Sequence, residues 1–298
     1  MHRLNYKTMK KILLAGATGN LGRHYLKSLK QQGYTVRVLA RSSQKAQALS
    51  PTPDEIFIAD ATQPGTLSGC CAGVDVVVSA LGKSISLADS SKASFHDIDF
   101  SANYNLLQEA KFSAGVKQFI YTSAFGAANH PSLAYFKAHA DFAEALKASG
   151  LAYTILEPTA LYSAFDEVVS MARKGQIGNL GAGDKLTNPI YEGDLAEVAI
   201  QSIGKPSQVI PVGGQQVYSR LELVQLACKV AGYKGKIPSV PFGVVKAMLP
   251  LVKLYSRNMY DKLAFLVAVS EIDCVAPKRG THTLEAYFNL TAKEPARV

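Results

Sequence analysis

One segment constrains this chain more than any other: Lys10-Lys11-Ile12-Leu13-Leu14-Ala15-Gly16-Ala17-Thr18-Gly19-Asn20-Leu21-Gly22. A short apolar strand runs into three glycines spaced G-x-x-G-x-x-G. A helical pattern follows, with Leu21, Tyr25, Leu26 and Leu29 on one face and Gly33 closing it. Glycines let a backbone approach a pyrophosphate closely, and the unpaired N–H groups at a helix N-terminus point at it. Strand, turn and helix in that order predict a dinucleotide-binding turn made by Gly16, Thr18, Gly19, Asn20, Leu21 and Gly22.

The next stretches keep the same rhythm. Strands are expected at Ile12–Ala15, Thr35–Ala40, Glu55–Ala59, Asp75–Ala80, Gln118–Ser123 and Tyr153–Leu156, with helical stretches between them. One helix carries Ile98, Ala102, Leu106 and Ala110 on a face, and another runs from Leu133 to Lys147. Alternation of this kind predicts an α/β fold: a doubly wound parallel sheet over residues 9–160. Residues 161–298 then read as a smaller, mainly helical substrate or cap region interleaved with the last sheet strands. It contains a strand at Val209–Val212, a helix near Gly193-Asp194, and a helix over Val217–Ala231 with Ser219 as N-cap and Glu222 three residues on.

Charge is unevenly spread. The chain has 298 residues and a net charge of +9. Residues 1–50 hold ten Lys or Arg and no acid, so the excess surrounds the glycine turn and favours an anionic ligand. Nucleic acid is not expected, because no nucleic-acid motif accompanies the charge. Cys70, Cys71, Cys228 and Cys274 form no C-x-x-C pair, which argues against zinc and for reduced thiols in a cytoplasmic protein. Residues 1–8 read as a loose extension without a signal-peptide core, with Met9 as the native start, and no apolar run is long enough to span a membrane.

The second strand ends Val38-Leu39-Ala40-Arg41, where an NAD-preferring site would place an acid for the ribose hydroxyls. Arg41 instead favours a 2′-phosphate, hence NADP over NAD, with Ser42, Ser43 and Lys45 nearby. Asp60, after the third strand, is placed to accept from an adenine amino group or to hold its own turn. Ala80, Leu81 and Gly82 close the fourth strand with small residues beside the cofactor.

These motifs, with Phe119-Ile120-Tyr121-Thr122-Ser123 and Tyr153-Thr154-Ile155-Leu156-Glu157-Pro158-Thr159 in order, resemble the atypical short-chain dehydrogenase/reductase family in its NmrA-like, NAD(P)-binding branch. The resemblance covers most of residues 10–235. It implies a Rossmann fold, NAD(P)H, a substrate pocket capped by the C-terminal part, and a cofactor contact near Pro158. It also implies a Tyr with a Lys four residues on, and a Ser on the preceding strand. Tyr135 matches the Tyr and Ser123 the Ser, but the Lys position holds His139, and Glu157 stands where relatives often carry Arg. Neutral imidazole can orient Tyr135 or bond a ribose hydroxyl, yet it lacks the fixed charge of Lys.

The resulting expectation is an NADP(H)-dependent oxidoreductase, monomeric or homodimeric, reducing a carbonyl, quinone or activated double bond of a small apolar substrate. The alternatives are an NADP-binding redox sensor without turnover, or a nucleotide-sugar epimerase or dehydratase. Residues 240–270 are expected to form two helices broken at Pro250. They are read as a packed cap rather than a membrane surface, because Lys246, Lys253 and Lys262 interrupt the apolar run. Met248, with one or more of Val244, Leu251 and Phe265, is expected to line a cavity opening toward the nicotinamide.

Overall fold

The computed structural model describes residues 10–291, so the expected extension at 1–8 and the start at Met9 lie outside the described residues. In chain order the elements of the first half are β1 (Lys11–Ala15), α1 (Asn20–Gln31), β2 (Thr35–Ala40), α2 (Ser43–Gln47), β3 (Glu55–Ile58), β4 (Val76–Ser79), α3 (Asn103–Phe112), β5 (Gln118–Thr122), α4 (Ala134–Lys147) and β6 (Ala152–Pro158). A segment of wider, π-type turns at His96–Ala102 leads directly into α3. The second half adds α5 (Asp166–Arg173), β7 (Asn179–Leu180), β8 (Leu186–Thr187), α6 (Glu192–Gln201), β9 (Gln208–Val212), β10 (Tyr218–Ser219), α7 (Arg220–Ala231), β11 (Ser239–Val240), α8 (Phe242–Tyr255), α9 (Arg257–Ser270) and α10 (Leu284–Thr291).

Seven strands form one sheet in the order β3-β2-β1-β4-β5-β6-β9, and every pairing is parallel. This is a doubly wound Rossmann fold with a helical C-terminal region. Each central strand reads as a near-continuous apolar run because both its faces are covered. On one face Leu21, Tyr25, Leu26 and Leu29 of α1 pack with Leu195, Ala196 and Ala199 of α6. On the other, Leu106 and Ala110 of α3 pack with Phe142 and Leu146 of α4. The chain reverses its direction of winding between β1 and β4, which opens a crevice at their C-terminal ends.

The C-terminal half departs from expectation in three places. Helix α7 begins at Arg220, because Tyr218–Ser219 pairs with β8, and Ser219 and Glu222 close a reciprocal capping box. Pro250 does not break the 240–270 run: it lies inside α8, and the chain turns at Ser256 instead. The proline removes one helical hydrogen bond, that to the Lys246 carbonyl, and both residues are exposed, so water can serve that carbonyl instead. Lys262 is not a solvent marker. It is only 1% exposed, and its Nζ bonds the carbonyls of Ser86 (2.6 Å) and Asp89 (2.8 Å) and the Asp89 carboxylate (3.1 Å). The four cysteines are unbonded and buried.

Candidate functional site

The glycine turn works through backbone contact. Gly16 has a φ of +82°, open to glycine at little cost, and a Cβ there would press on the Ala80 carbonyl at 2.7 Å. A Cβ on Gly22 would collide with the Gly16 carbonyl and the Ala17 Cα, so this glycine sets how closely α1 approaches β1. A Cβ on Gly19 would meet nothing nearer than the Gly16 carbonyl at 3.4 Å, leaving open space above the turn. Helix α1 starts there with no side-chain cap and no acid in its first turn, so its first N–H groups remain available to an anion. Leu21 contributes only backbone to that end, since its side chain belongs to the core.

A cleft of about 220 Å³ opens above this turn. Its wall brings together Gly16, Thr18, Gly19, Arg41, Asp60, Ala80, Leu81 and Gly82, contributed by the ends of four neighbouring strands, with Ile98 and Ala102 across from them. Asn20, Leu21 and Gly22 form the helix end beside it. Pro158 is not in this wall; it ends β6, and its carbonyl accepts from the Phe125 N–H at 3.0 Å. Burial pushes the Asp60 carboxyl up, but hydrogen bonds from the Thr62 N–H (3.0 Å) and hydroxyl (2.8 Å), together with the Arg41 charge, hold it below the usual range. Asp60 therefore braces its own turn while lining the cleft. Ser42 is occupied as the cap of α2. Open donors at a helix end, glycine-made space and one guanidinium at the tip of β2 fit a dinucleotide.

Beyond β5 lies the second group. The Ser123 hydroxyl is buried with no hydrogen-bond partner among the described residues. Tyr135 stands in the first turn of α4, ringed by Phe95, Phe136, His139 and Phe265. Burial first, then the nearby Asp99 charge, raise the Tyr135 phenol well above its ordinary range, so it stays protonated.

His139 behaves differently from the residue it replaces. Burial pushes its imidazole down to about 3, so the ring is neutral at physiological pH. Its Nδ1 lies 2.6 Å from the Tyr121 hydroxyl and its Nε2 lies 3.4 Å from Asp99 Oδ1. Both nitrogens are thus taken up by protein partners, and the contact with Tyr135 is edge-to-face at 4.6 Å between ring centres. His139 packs edge-on against Tyr135 and, being neutral, supplies no charge to it. Burial likewise holds the Asp99 carboxyl well above its ordinary range, against the opposing pull of the Lys83 N–H and charge.

Asp99, Tyr121 and Asn103 escaped the sequence reading. Asn103 ties the site to the sheet, accepting from the Ser79 hydroxyl at 2.5 Å and donating to the Asp99 carbonyl at 3.0 Å. Their signal was present: Asp99 and Asn103 fall at i, i+4 beside the apolar face of Ala102, Leu106 and Ala110, a place where a polar side chain must find partners. A further buried tie, Lys83 Nζ to Asp89 at 2.9 Å, fixes the loop after β4 under α9, where Lys262 meets the same carboxylate.

The expected apolar cavity does not form as drawn. Val244, Met248 and Leu251 are exposed on α8, and only Phe265, from α9, reaches Tyr135, at 4.4 Å between ring centres.

A parallel sheet with a glycine-turn cleft at its switch point defines a nucleotide-binding Rossmann protein. The chain belongs to the NAD(P)H-binding family, whose pattern matches residues 16–206. Among curated relatives it is 26% identical to the photosystem II assembly factor Ycf39 of Synechocystis sp., over 86% of this chain and 78% of that protein. It is 27% identical to the chloroplastic divinyl chlorophyllide a 8-vinyl-reductase of Zea mays, over 95% and 79%. In structure it is similar to the NADPH-dependent quinone oxidoreductase QOR2 of Escherichia coli, with a TM-score of 0.73, 22% identity, and coverage of 94% of this chain and 99% of that one. It is also similar to the Citrobacter sp. triphenylmethane reductase, with a TM-score of 0.72, 22% identity, and coverage of 95% and 100%.

Proposed function

We propose that this protein is an NADP(H)-dependent reductase of the NmrA-like branch of the atypical short-chain dehydrogenases/reductases, acting on a carbonyl, quinone or activated double bond of a small apolar molecule. The reading rests on the cleft, where Arg41, the uncapped N-terminus of α1 and the small residues Ala80, Leu81 and Gly82 converge on one space. Ser123 and Tyr135 lie outside the wall of that cleft, and the buried, unpartnered Ser123 hydroxyl is proposed to meet a substrate oxygen once cofactor and substrate are bound. Arg41 would hold the 2′-phosphate and the α1 N-terminus the pyrophosphate, with Ala80, Leu81 and Gly82 in the wall of the same cleft. When bound, reduced nicotinamide supplies a hydride. Tyr135, kept protonated by burial, gives the proton from its hydroxyl to the atom that gains charge. Phe95, Phe136 and Phe265 pack around the Tyr135 ring and hold it in place. Relatives described as a vinyl reductase and a quinone oxidoreductase support the same class of acceptor.

A second reading has its own observation. With His139 neutral and its nitrogens taken up by protein partners, Tyr135 lacks the adjacent cation that makes a phenol a fast proton donor, and several relatives are described as assembly factors. That combination suits an NADP-binding regulator. NADPH consumption with a panel of quinones, enones and aldehydes separates the two. Turnover that falls at least roughly tenfold in both Tyr135→Phe and Ser123→Ala, with NADPH affinity unchanged, supports the reductase. NADPH binding without turnover on any acceptor supports the regulator.

A further inference from the structure

Helix α8 buries none of its fourteen residues. Val244 (52% exposed), Met248 (56%), Leu251 (69%) and Tyr255 (95%) recur at i, i+4, i+7 and i+11, and so form one stripe, with Leu254 (87%) along its edge. The flank about a quarter turn away, with Val245, Leu249 and Val252, is half-buried where α8 packs on α9, and Lys246 and Lys253 lie on the side opposite the stripe. The outward face is therefore apolar along its whole length. A contiguous exposed face of this kind marks a binding surface rather than an accident of composition.

Charge around the stripe selects the occupant. From Leu223 to Tyr260 the chain has six basic residues (Lys229, Lys234, Lys236, Lys246, Lys253 and Arg257) and no Asp or Glu. Lys234 and Lys236 are exposed in the loop leading to β11 and α8. Three of the six are paired with acids from elsewhere in the chain: Glu285 with Lys229 at 2.7 Å, Glu271 with Lys246 at 2.6 Å and Asp261 with Arg257 at 3.0 Å. Lys253 lies over the Tyr260 ring, 5.2 Å from its centre. An exposed apolar stripe ending in a tyrosine, with lysines on the far side of the helix, is the pattern of a helix that lies in the plane of a membrane interface. At about 21 Å, α8 is too short to cross a bilayer, and no helix among the described residues is long and apolar enough to do so.

We infer that α8 docks this protein onto the surface of a bilayer containing anionic lipid. Its apolar stripe sinks among the headgroups, while Lys234 and Lys236, in the exposed loop that leads into α8, meet the negative surface. Helix α9 contacts both α8 and, through Phe265, Tyr135, so the docking helix and the Tyr135 surroundings share one support. The inference does not depend on turnover.

The test uses the whole protein and vesicles of about 30% phosphatidylserine in phosphatidylcholine at roughly 0.1 M salt. The protein should sediment with these vesicles and bind phosphatidylcholine alone roughly tenfold less. The double variant Met248→Asp, Leu251→Asp should lose at least roughly tenfold in vesicle binding while its NADPH affinity stays within about twofold, which shows that it is folded. The chain has no tryptophan, so Leu254→Trp gives a single reporter whose emission should shift to the blue on adding anionic vesicles. Equal vesicle binding by the double variant, or an unshifted emission, overturns the inference. So does a lipid-free dimer that the double variant abolishes, because the face then belongs to a second copy of the chain.

Discussion

Arg41 is the residue whose replacement reads the cofactor preference most directly. It stands exposed at the tip of β2, lines the cleft, and lies close enough to Asp60 to lower that carboxyl. A charge-assisted bond to phosphate is worth about 1.5–3 kcal/mol. Two features of the site reduce this: solvent screens an exposed guanidinium, and the Asp60 carboxylate repels the same phosphate. The expected loss in Arg41→Ala is about 1–2 kcal/mol, or roughly 5- to 30-fold in the Kd for NADPH. NADH has no 2′-phosphate and should change by less than about twofold. Arg41→Asp should go further and invert the preference, because a carboxylate there accepts from both ribose hydroxyls and repels phosphate. Calorimetric titration of both nucleotides into wild type and both variants measures this, and raising the salt from about 0.05 to about 0.5 M should narrow the wild-type preference. Equal affinity of the wild type for NADPH and NADH, or equal weakening of both by Arg41→Ala, would refute the reasoning.

The glycine turn separates stability from binding. Gly22→Ala should destabilise by at least about 2 kcal/mol in urea unfolding, since its Cβ meets backbone that cannot move without displacing α1. Gly19→Ala should leave stability within about 0.5 kcal/mol yet weaken NADPH binding severalfold, because its Cβ enters only ligand space. His139 should make folding acid-sensitive: its folded pKa of about 3 lies below the ordinary histidine value of 6.5, so this stability is full above 6.5 and is lost as pH falls towards 3. At pH 5 the loss is about 2 kcal/mol relative to pH 8, and the raised Asp99 carboxyl offsets part of it, since its contribution runs the other way. His139→Gln should therefore gain stability over the wild type on going from pH 8 to pH 5; urea titrations showing no such differential would remove His139 as the cause. Lys262→Met should loosen the 83–91 loop, read as faster amide exchange there, because Asp89 would lose a buried cation.

Much of this protein was determined locally and was therefore legible in its sequence. The glycine spacing, the Arg41 at the end of β2, the capping box at Ser219 and the apolar runs of the parallel strands depend on backbone geometry and short-range periodicity. Only the fold decided the rest. Whether His139 could act as a cation depended on Tyr121 and Asp99, eighteen and forty residues away, closing on its two nitrogens and excluding water. Lys262 looked like a solvated charge, and became a buried tie because Asp89 and the Ser86 carbonyl come from a loop more than 170 residues earlier. The apolar run at 242–255 has the composition of a core helix. Periodicity shows that such a helix has an apolar face, but only tertiary packing decides whether that face turns inward or, as here, out.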